Sequence, residues 1–196
     1  MSKNQSKSSH LQSAPQFIKI IGGHWRGTKL RVLLNDTIRP TPARVRETLF
    51  NWLQAYIAGS HCLDLFAGSG ALGFESISRG AKFTSFVDID PQVTEILHQQ
   101  LIQLQSSDGE AICMDGLKYL ENCEKKFDII YIDPPFSMFN LEDVLDNLKA
   151  SKVVKPGGLV YVESALNELP QNLPIDWNWK RQSKASQVEY GLIATD

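Results

Sequence analysis

Three rhythms of apolar and polar positions divide the chain. From residue 61 onward, short apolar runs alternate with amphipathic stretches, which is the pattern of a parallel sheet with crossover helices. The runs predict strands at 62–66, 83–88, 110–115, 127–133 and 159–163, with Lys155-Pro156-Gly157-Gly158 as a turn into the last of these. The stretches between them predict helices at 71–79, 91–105 and 116–121, and one carrying Leu141, Val144, Leu145 and Leu148 on a single face. Two further strand-like pieces, 177–181 and 188–194, are separated by a polar 183–187 turn that leaves no room for a helix. They predict an antiparallel hairpin at the sheet edge.

Ahead of the sheet, 17–34 reads as two short strands around a glycine-rich turn, with Lys29 and Arg31 alternating against Leu30 and Val32. A helix follows, with Thr41 as its N-cap and Pro42 at its first position. Its expected buried face is Val45, Leu49, Trp52, Leu53, Tyr56 and Ile57. Residues 1–16 hold too few apolar side chains to repay the entropy of ordering, and are expected to form a disordered tail. The expected division is thus a tail at 1–16, a basic hairpin extension at 17–38 and a main domain at 39–196.

Charge adds what periodicity cannot show. Residues 1–50 hold nine Lys/Arg against two Asp/Glu, whereas the remainder holds 11 against 20. A basic front on an acidic body predicts a polyanionic partner, nucleic acid first among them. Its candidate contacts are His24, Trp25, Arg26, Lys29 and Arg31 on the hairpin, with Arg39, Arg44 and Arg46 around the start of the first helix. A positive side chain gains nothing from a helix N-terminus, so arginines placed there ask for an anion. Trp25 has a second reading, as a packing anchor for the hairpin. No apolar run approaches the roughly 20 residues of a membrane span, and the first residues lack a secretory apolar region. The three cysteines contain no C-x-x-C pair, and the histidines have no metal-ligand spacing. A cytoplasmic protein without metal, membrane association or disulfides is expected, acting as a monomer.

The chemistry gathers where the predicted strands end. Gly68, Gly70 and Gly73 satisfy G-x-G-x-x-G between a strand and a helix, and Asp88 follows Gly68 by 20 residues at the end of the next strand. That spacing fits an adenosine-containing cofactor whose ribose hydroxyls meet a carboxylate. It leaves a dinucleotide and S-adenosylmethionine open. Asp64 stands four residues before the glycines, where it would repel a pyrophosphate but hold an amino-acid end. Asp115 ends the third strand, within reach of an adenine amine. The fourth strand ends in Asp133-Pro134-Pro135-Phe136, a rigid acceptor site with a stacking face that suits a planar amino group. Together these favour S-adenosylmethionine, although each aspartate alone could be a strand-end cap.

The chain resembles the class I S-adenosylmethionine-dependent methyltransferases, and more closely the RsmD family of 16S ribosomal RNA guanine-N2 methyltransferases. The resemblance is carried by residues 21–27 (Ile-Gly-Gly-His-Trp-Arg-Gly), by Arg39-Pro40-Thr41 with residues 44–51, by residues 64–73 and by residues 133–136. It departs at Lys184-Ala185-Ser186, where glycine is expected. The resemblance implies a Rossmann-like α/β fold with a mostly parallel seven-stranded sheet, an antiparallel C-terminal hairpin and a small basic N-terminal β-hairpin. It implies transfer of a methyl group to guanine N2 in 16S rRNA, within the small ribosomal subunit. Asp133 and the Pro134 carbonyl would accept the amine hydrogens and Phe136 would stack on the base. Thr41, Asp64, Phe66, Gly68, Gly70, Asp88 and Asp115 would hold the cofactor. Glu163, ending the fifth strand, reads as a substrate-orienting group or a strand-end cap. An adenine-N6 methyltransferase acting on DNA or RNA, a non-enzymatic RNA-binding assembly factor and a nicotinamide oxidoreductase remain as alternatives.

Overall fold

The computed structural model describes residues 16–32, 41–135 and 139–195. A two-stranded antiparallel hairpin, β1 (Gln16–Lys19) and β2 (Lys29–Val32), precedes α1 (Ala43–Trp52). The main sheet is built from β3 (His61–Asp64), β4 (Phe83–Asp88), β5 (Gly109–Cys113), β6 (Phe127–Ile132), β7 (Val154–Ala165), β8 (Trp177–Ala185) and β9 (Val188–Thr195). Its order is β5-β4-β3-β6-β7-β9-β8. The connecting helices are α2 (Ala71–Ser78), α3 (Pro91–Gln103), α4 (Gly116–Asn122) and α5 (Leu141–Ser151). The first five strands of the sheet run parallel, and β9 runs antiparallel to both of its neighbours, β7 and β8. This is the Rossmann-like methyltransferase arrangement expected from the sequence.

Alternation along the central strands sorts their side chains onto two faces. Leu63, Ile130, Ile132, Val160 and Val162 pack with α4 and α5 on one face. Cys62, Ile129, Tyr131, Leu159 and Tyr161 pack with Val45, Leu49, Phe50 and Leu53 of α1 and its end on the other. Strands that are apolar on both faces belong inside a parallel sheet. The line where β3 and β6 meet is therefore fixed from above and below, and Asp64 and Asp133 project from its carboxyl end.

Two boundaries differ from the sequence expectation for local reasons. The Lys155-Pro156-Gly157-Gly158 stretch lies within β7 as a bulge, since the pairing moves from Phe127–Val154 to Ile129–Leu159. Gly157 carries the positive φ of 72° that this kink requires. The C-terminal turn is also tighter than 183–187. Pairing continues to Ala185–Val188, and Ser186 takes φ 56°, at the place where the resemblance led glycine to be expected.

The N-terminal hairpin is tied to the domain through the carboxyl end of α2. Ile20 and Leu30 enter the cluster formed by Phe74, Ile77, Val93 and Leu97. The His24 amide donates to the Ser78 carbonyl at 2.8 Å, the Trp25 amide to Ser78 Oγ at 3.0 Å, and Ser78 Oγ–H to the Gly22 carbonyl at 2.6 Å. Gly23, at φ 72°, admits this approach, because a Cβ there would lie 1.7 Å from the Ser78 carbonyl oxygen. Glu75 completes the attachment: fully buried, it accepts from the Ile21 amide at 2.8 Å and pairs with Arg79 at 2.7 Å and Arg46 at 3.7 Å.

Arg46 therefore departs from its expected role as a phosphate contact. It is 4% exposed, and its guanidinium donates inward to the Lys19 and Thr41 carbonyls at 3.0 and 3.3 Å. A buried carboxylate, invisible to local pattern reading, is the anion it asked for.

Candidate active site

The carboxyl ends of β3, β4 and β6 and the loops after them converge on one edge of the sheet, the usual place for ligands in open α/β folds. After β3 the chain turns through Gly68 and Gly70, both at positive φ (49° and 70°), and enters α2 with Gly70 as its N-cap. Gly73, the third glycine of the motif, serves packing. A Cβ there would fall 2.1 Å from the Phe86 ring, so it lets α2 press onto β4. Phe66 is partly exposed beside this loop and lies 5.1 Å from Phe139, centroid to centroid.

Each carboxylate has a defined attachment. Asp64 is 3% exposed and accepts from the Gly73 amide at 3.0 Å, bracing the glycine turn from beneath. Asp88 remains partly exposed, with one oxygen on the Gly68 amide at 2.8 Å and the other on the Asp90 amide at 2.9 Å. Asp115 lies two residues beyond β5 and caps α4, accepting from the Lys118 amide at 3.0 Å. One of its oxygens is thus committed to the helix.

Asp133 follows β6 directly, with Pro134 buried behind it. The Thr41 hydroxyl donates to Asp133 Oδ2 at 3.1 Å across 92 residues of sequence. This bond replaces the N-cap expected for Thr41: α1 begins at Ala43, after Pro42, without a side-chain cap. The last parallel pairing, Ile132 with Val162, puts Asp133 beside Glu163 on the neighbouring strand. Glu163 is 3% exposed and accepts from the Tyr161 hydroxyl at 2.8 Å. Glu163 and Tyr161 are two residues apart on one strand face. That alternation is the signal by which sequence reading could have promoted Glu163 from strand cap to site residue.

The site is electrically unbalanced. Burial pushes Asp133 up to about 6 and Glu163 up to about 8, and it raises Asp64 and Asp88 as well. Among the described residues, none of these four carboxyl groups pairs with a lysine or arginine. A pyrophosphate would meet only repulsion here. S-adenosylmethionine fits, because its ammonium and sulfonium groups bring positive charge to a pocket of carboxylates without a counterion.

The sequence-predicted RNA contacts are spread more widely. Arg26, Lys29, Arg31 and Arg44 are exposed. His24 is exposed, with Nδ1 2.9 Å from the Ser78 carbonyl, and Trp25 is half-buried against the α2–α3 cluster. Phe136 and Arg39, expected to stack on the base and to contact phosphate, lie outside the described residues.

Comparison with known proteins gives this geometry its family. Residues 18–194 match a family described as conserved hypothetical protein 95. The chain is 40% identical to ribosomal RNA small subunit methyltransferase D of Haemophilus influenzae over 190 residues, covering 95% of this chain and 98% of that one. The chain belongs to the ribosomal RNA small subunit methyltransferase D family. A second member, from Escherichia coli strain K12, is 38% identical over 175 residues, or 89% of this chain and 88% of its own length. The solved structure of yhhF from Escherichia coli superposes with a TM-score of 0.85 at 38% identity, covering 92% of this chain and 99% of that one. The family's fold extends further: the Thermus thermophilus 16S rRNA N2 G1207 methyltransferase, solved with AdoMet and guanosine, has a TM-score of 0.69 at 20% identity over 93% of this chain and 50% of that one. That likeness is one of fold.

Proposed function

We propose that this chain methylates the exocyclic N2 amine of a guanine in 16S rRNA, with the cytoplasmic small ribosomal subunit as its setting. The observation that carries the reading is Asp133-Pro134-Pro135 at the end of β6, beside the glycine turn of a methyltransferase fold. S-adenosylmethionine supplies an electrophilic methyl group when bound. Phe66, Gly68, Gly70, Asp64, Asp88 and Asp115 surround the place it would occupy, with Thr41 beside the methyl-accepting centre.

The remainder of the task is the protein's. A guanine amine is a weak nucleophile because its lone pair is delocalised into the ring. Two acceptors that draw its hydrogens to one side favour the pyramidal form and free the lone pair. Asp133 is one acceptor and the Pro134 carbonyl the other. The two prolines restrict the backbone that carries both, and such positioning is worth several kcal/mol of barrier. Asp133 is also placed to take the proton that the amine loses as it is methylated. On the outer surface, Arg26, Lys29, Arg31 and Arg44 would meet RNA phosphates.

The test is methyl transfer from tritiated S-adenosylmethionine to unmodified small ribosomal subunits and to naked rRNA, followed by nucleoside identification. N2-methylguanosine from the wild type and none from Asp133→Ala is the expected result. Methyladenosine would transfer the reading to an adenine-N6 enzyme, and no transfer to either substrate would overturn it.

A further inference from the structure

Behind Asp133 lies a second carboxyl group that the methyl-transfer scheme leaves unused. Glu163 stands beside Asp133 on the adjoining strand, almost fully buried, and a single hydroxyl joins the two. Thr41 donates its one hydrogen to Asp133 Oδ2 at 3.1 Å, and the same hydroxyl is a hydrogen-bond neighbour of Glu163. A hydroxyl has one hydrogen to give. With that hydrogen spent on Asp133, Thr41 can meet Glu163 only as an acceptor, so the hydrogen between them belongs to Glu163. The other Glu163 oxygen, Oε2, already accepts from Tyr161 at 2.8 Å, which leaves Oε1 to carry it.

We propose that Glu163 is a protonated positioning residue, whose O–H directs the Thr41 hydroxyl at Asp133 and so leaves Asp133 as the charged member facing the substrate amine. This rests on the methyl-acceptor role given to Asp133 above. The chain of donors runs one way: Glu163 to Thr41, Thr41 to Asp133, and Asp133 outward to the amine.

The surroundings assign the charge to Asp133 on two grounds. Two adjacent carboxylates in a desolvated site do not both ionise, and Asp133 retains exposed surface while Glu163 is 3% exposed. The groups facing Glu163 add no compensating positive charge. They are Tyr161 on its own strand, Tyr190 opposite it on β9, Asp133 on β6, and Thr41 ahead of α1, with Asp64 on β3 close to Asp133. Burial and the Asp133 charge together push Glu163 up to about 8, in agreement with a carboxylic acid at neutral pH. Asp133, at about 6, is ionised there.

The decisive experiment is an infrared titration of the whole protein between about pH 7 and pH 9, following the carbonyl stretch of protonated carboxylic acids. The wild type should lose one such signal with a midpoint near 8, as the Glu163 value requires. Glu163→Gln preserves the shape, and its amide can donate to Thr41, but the signal should be absent from it. Its kcat should fall about threefold, while Thr41→Val, which cuts the donor chain at its middle, should cost about tenfold or more. A wild type without the titrating signal, or a signal that persists in Glu163→Gln, would overturn the proposal. The infrared result does not depend on methyl transfer. If the wild type titrates as expected yet methylates no RNA, it is the substrate assignment that has failed.

Discussion

Asp133 must be ionised to draw a hydrogen from an amine, yet it sits where ionisation is costly. With its value pushed up to about 6, methyl transfer should decline as pH falls through that point, and a pH–rate profile of kcat checks it. Asp133→Ala should abolish transfer while S-adenosylmethionine binding, read by calorimetry, stays close to wild type. Stability should move the other way. The folded protein holds protons on Asp133 and Glu163 more tightly than an unfolded chain, whose values lie near 3.8 and 4.5. Their contribution to stability is therefore fully present in acid, below the unfolded values, and is lost as pH rises through about 6 and about 8. Asp133→Asn should accordingly raise Tm at neutral pH, by about 2–4 °C for each kcal/mol relieved in a chain of this size. At this scale the sequence shows residue types better than partners. The aspartates at the strand ends were legible because a strand-end position follows from local pattern. The partnership of Thr41 with Asp133 was not, because it spans 92 residues and competes with an ordinary capping role that a threonine before a proline suggests.

At the scale of elements, the hairpin and α2 act as one unit through Glu75. Replacing Glu75 with alanine would strand the Arg46 guanidinium in the interior and leave the Ile21 amide without its acceptor. Breaking a buried pair from one side costs about 3–5 kcal/mol, and thermal or denaturant unfolding should show a loss of that order. Gly73→Ala should also destabilise, by about 1–3 kcal/mol, since the added methyl enters the space of the Phe86 ring. Sequence periodicity found all of the sheet strands and crossover helices, because segments with an apolar face on a regular period announce themselves. The differences arose where a distant partner decides the outcome. The Lys155–Gly158 bulge looks like a turn when read alone, as it becomes part of a strand only through pairing with β6. Arg46 looks like an anion-seeking side chain, and it is one; its anion lies 29 positions onward in another helix.

The molecule as a whole is polarised, with a basic N-terminal quarter on an acidic remainder. Such a charge distribution should make RNA affinity strongly salt-dependent. Reversing Arg26, Lys29 and Arg31 together to glutamate should weaken binding across sequences and flatten the salt slope by roughly 0.7–0.9 for each phosphate no longer neutralised, measured by filter binding over a salt series. Melting temperature should change little, because these three side chains are exposed and the hairpin is held by other residues.

The strand order carries a consequence for how such a chain is made. β9 is the last strand to be synthesised, yet it lies between β7 and β8. As the chain emerges, β3 to β7 can assemble with their helices, but the free edge of β7 and the whole of β8 must wait. During that interval two strands sit with unpaired backbone, the condition under which nascent chains stick to one another. Closure of the sheet, and with it the Glu163–Tyr190 pairing that backs the catalytic edge, becomes one of the final events of folding. A protein fitted to modify ribosomal RNA would thus depend on its last few residues leaving a ribosome before its own site is complete.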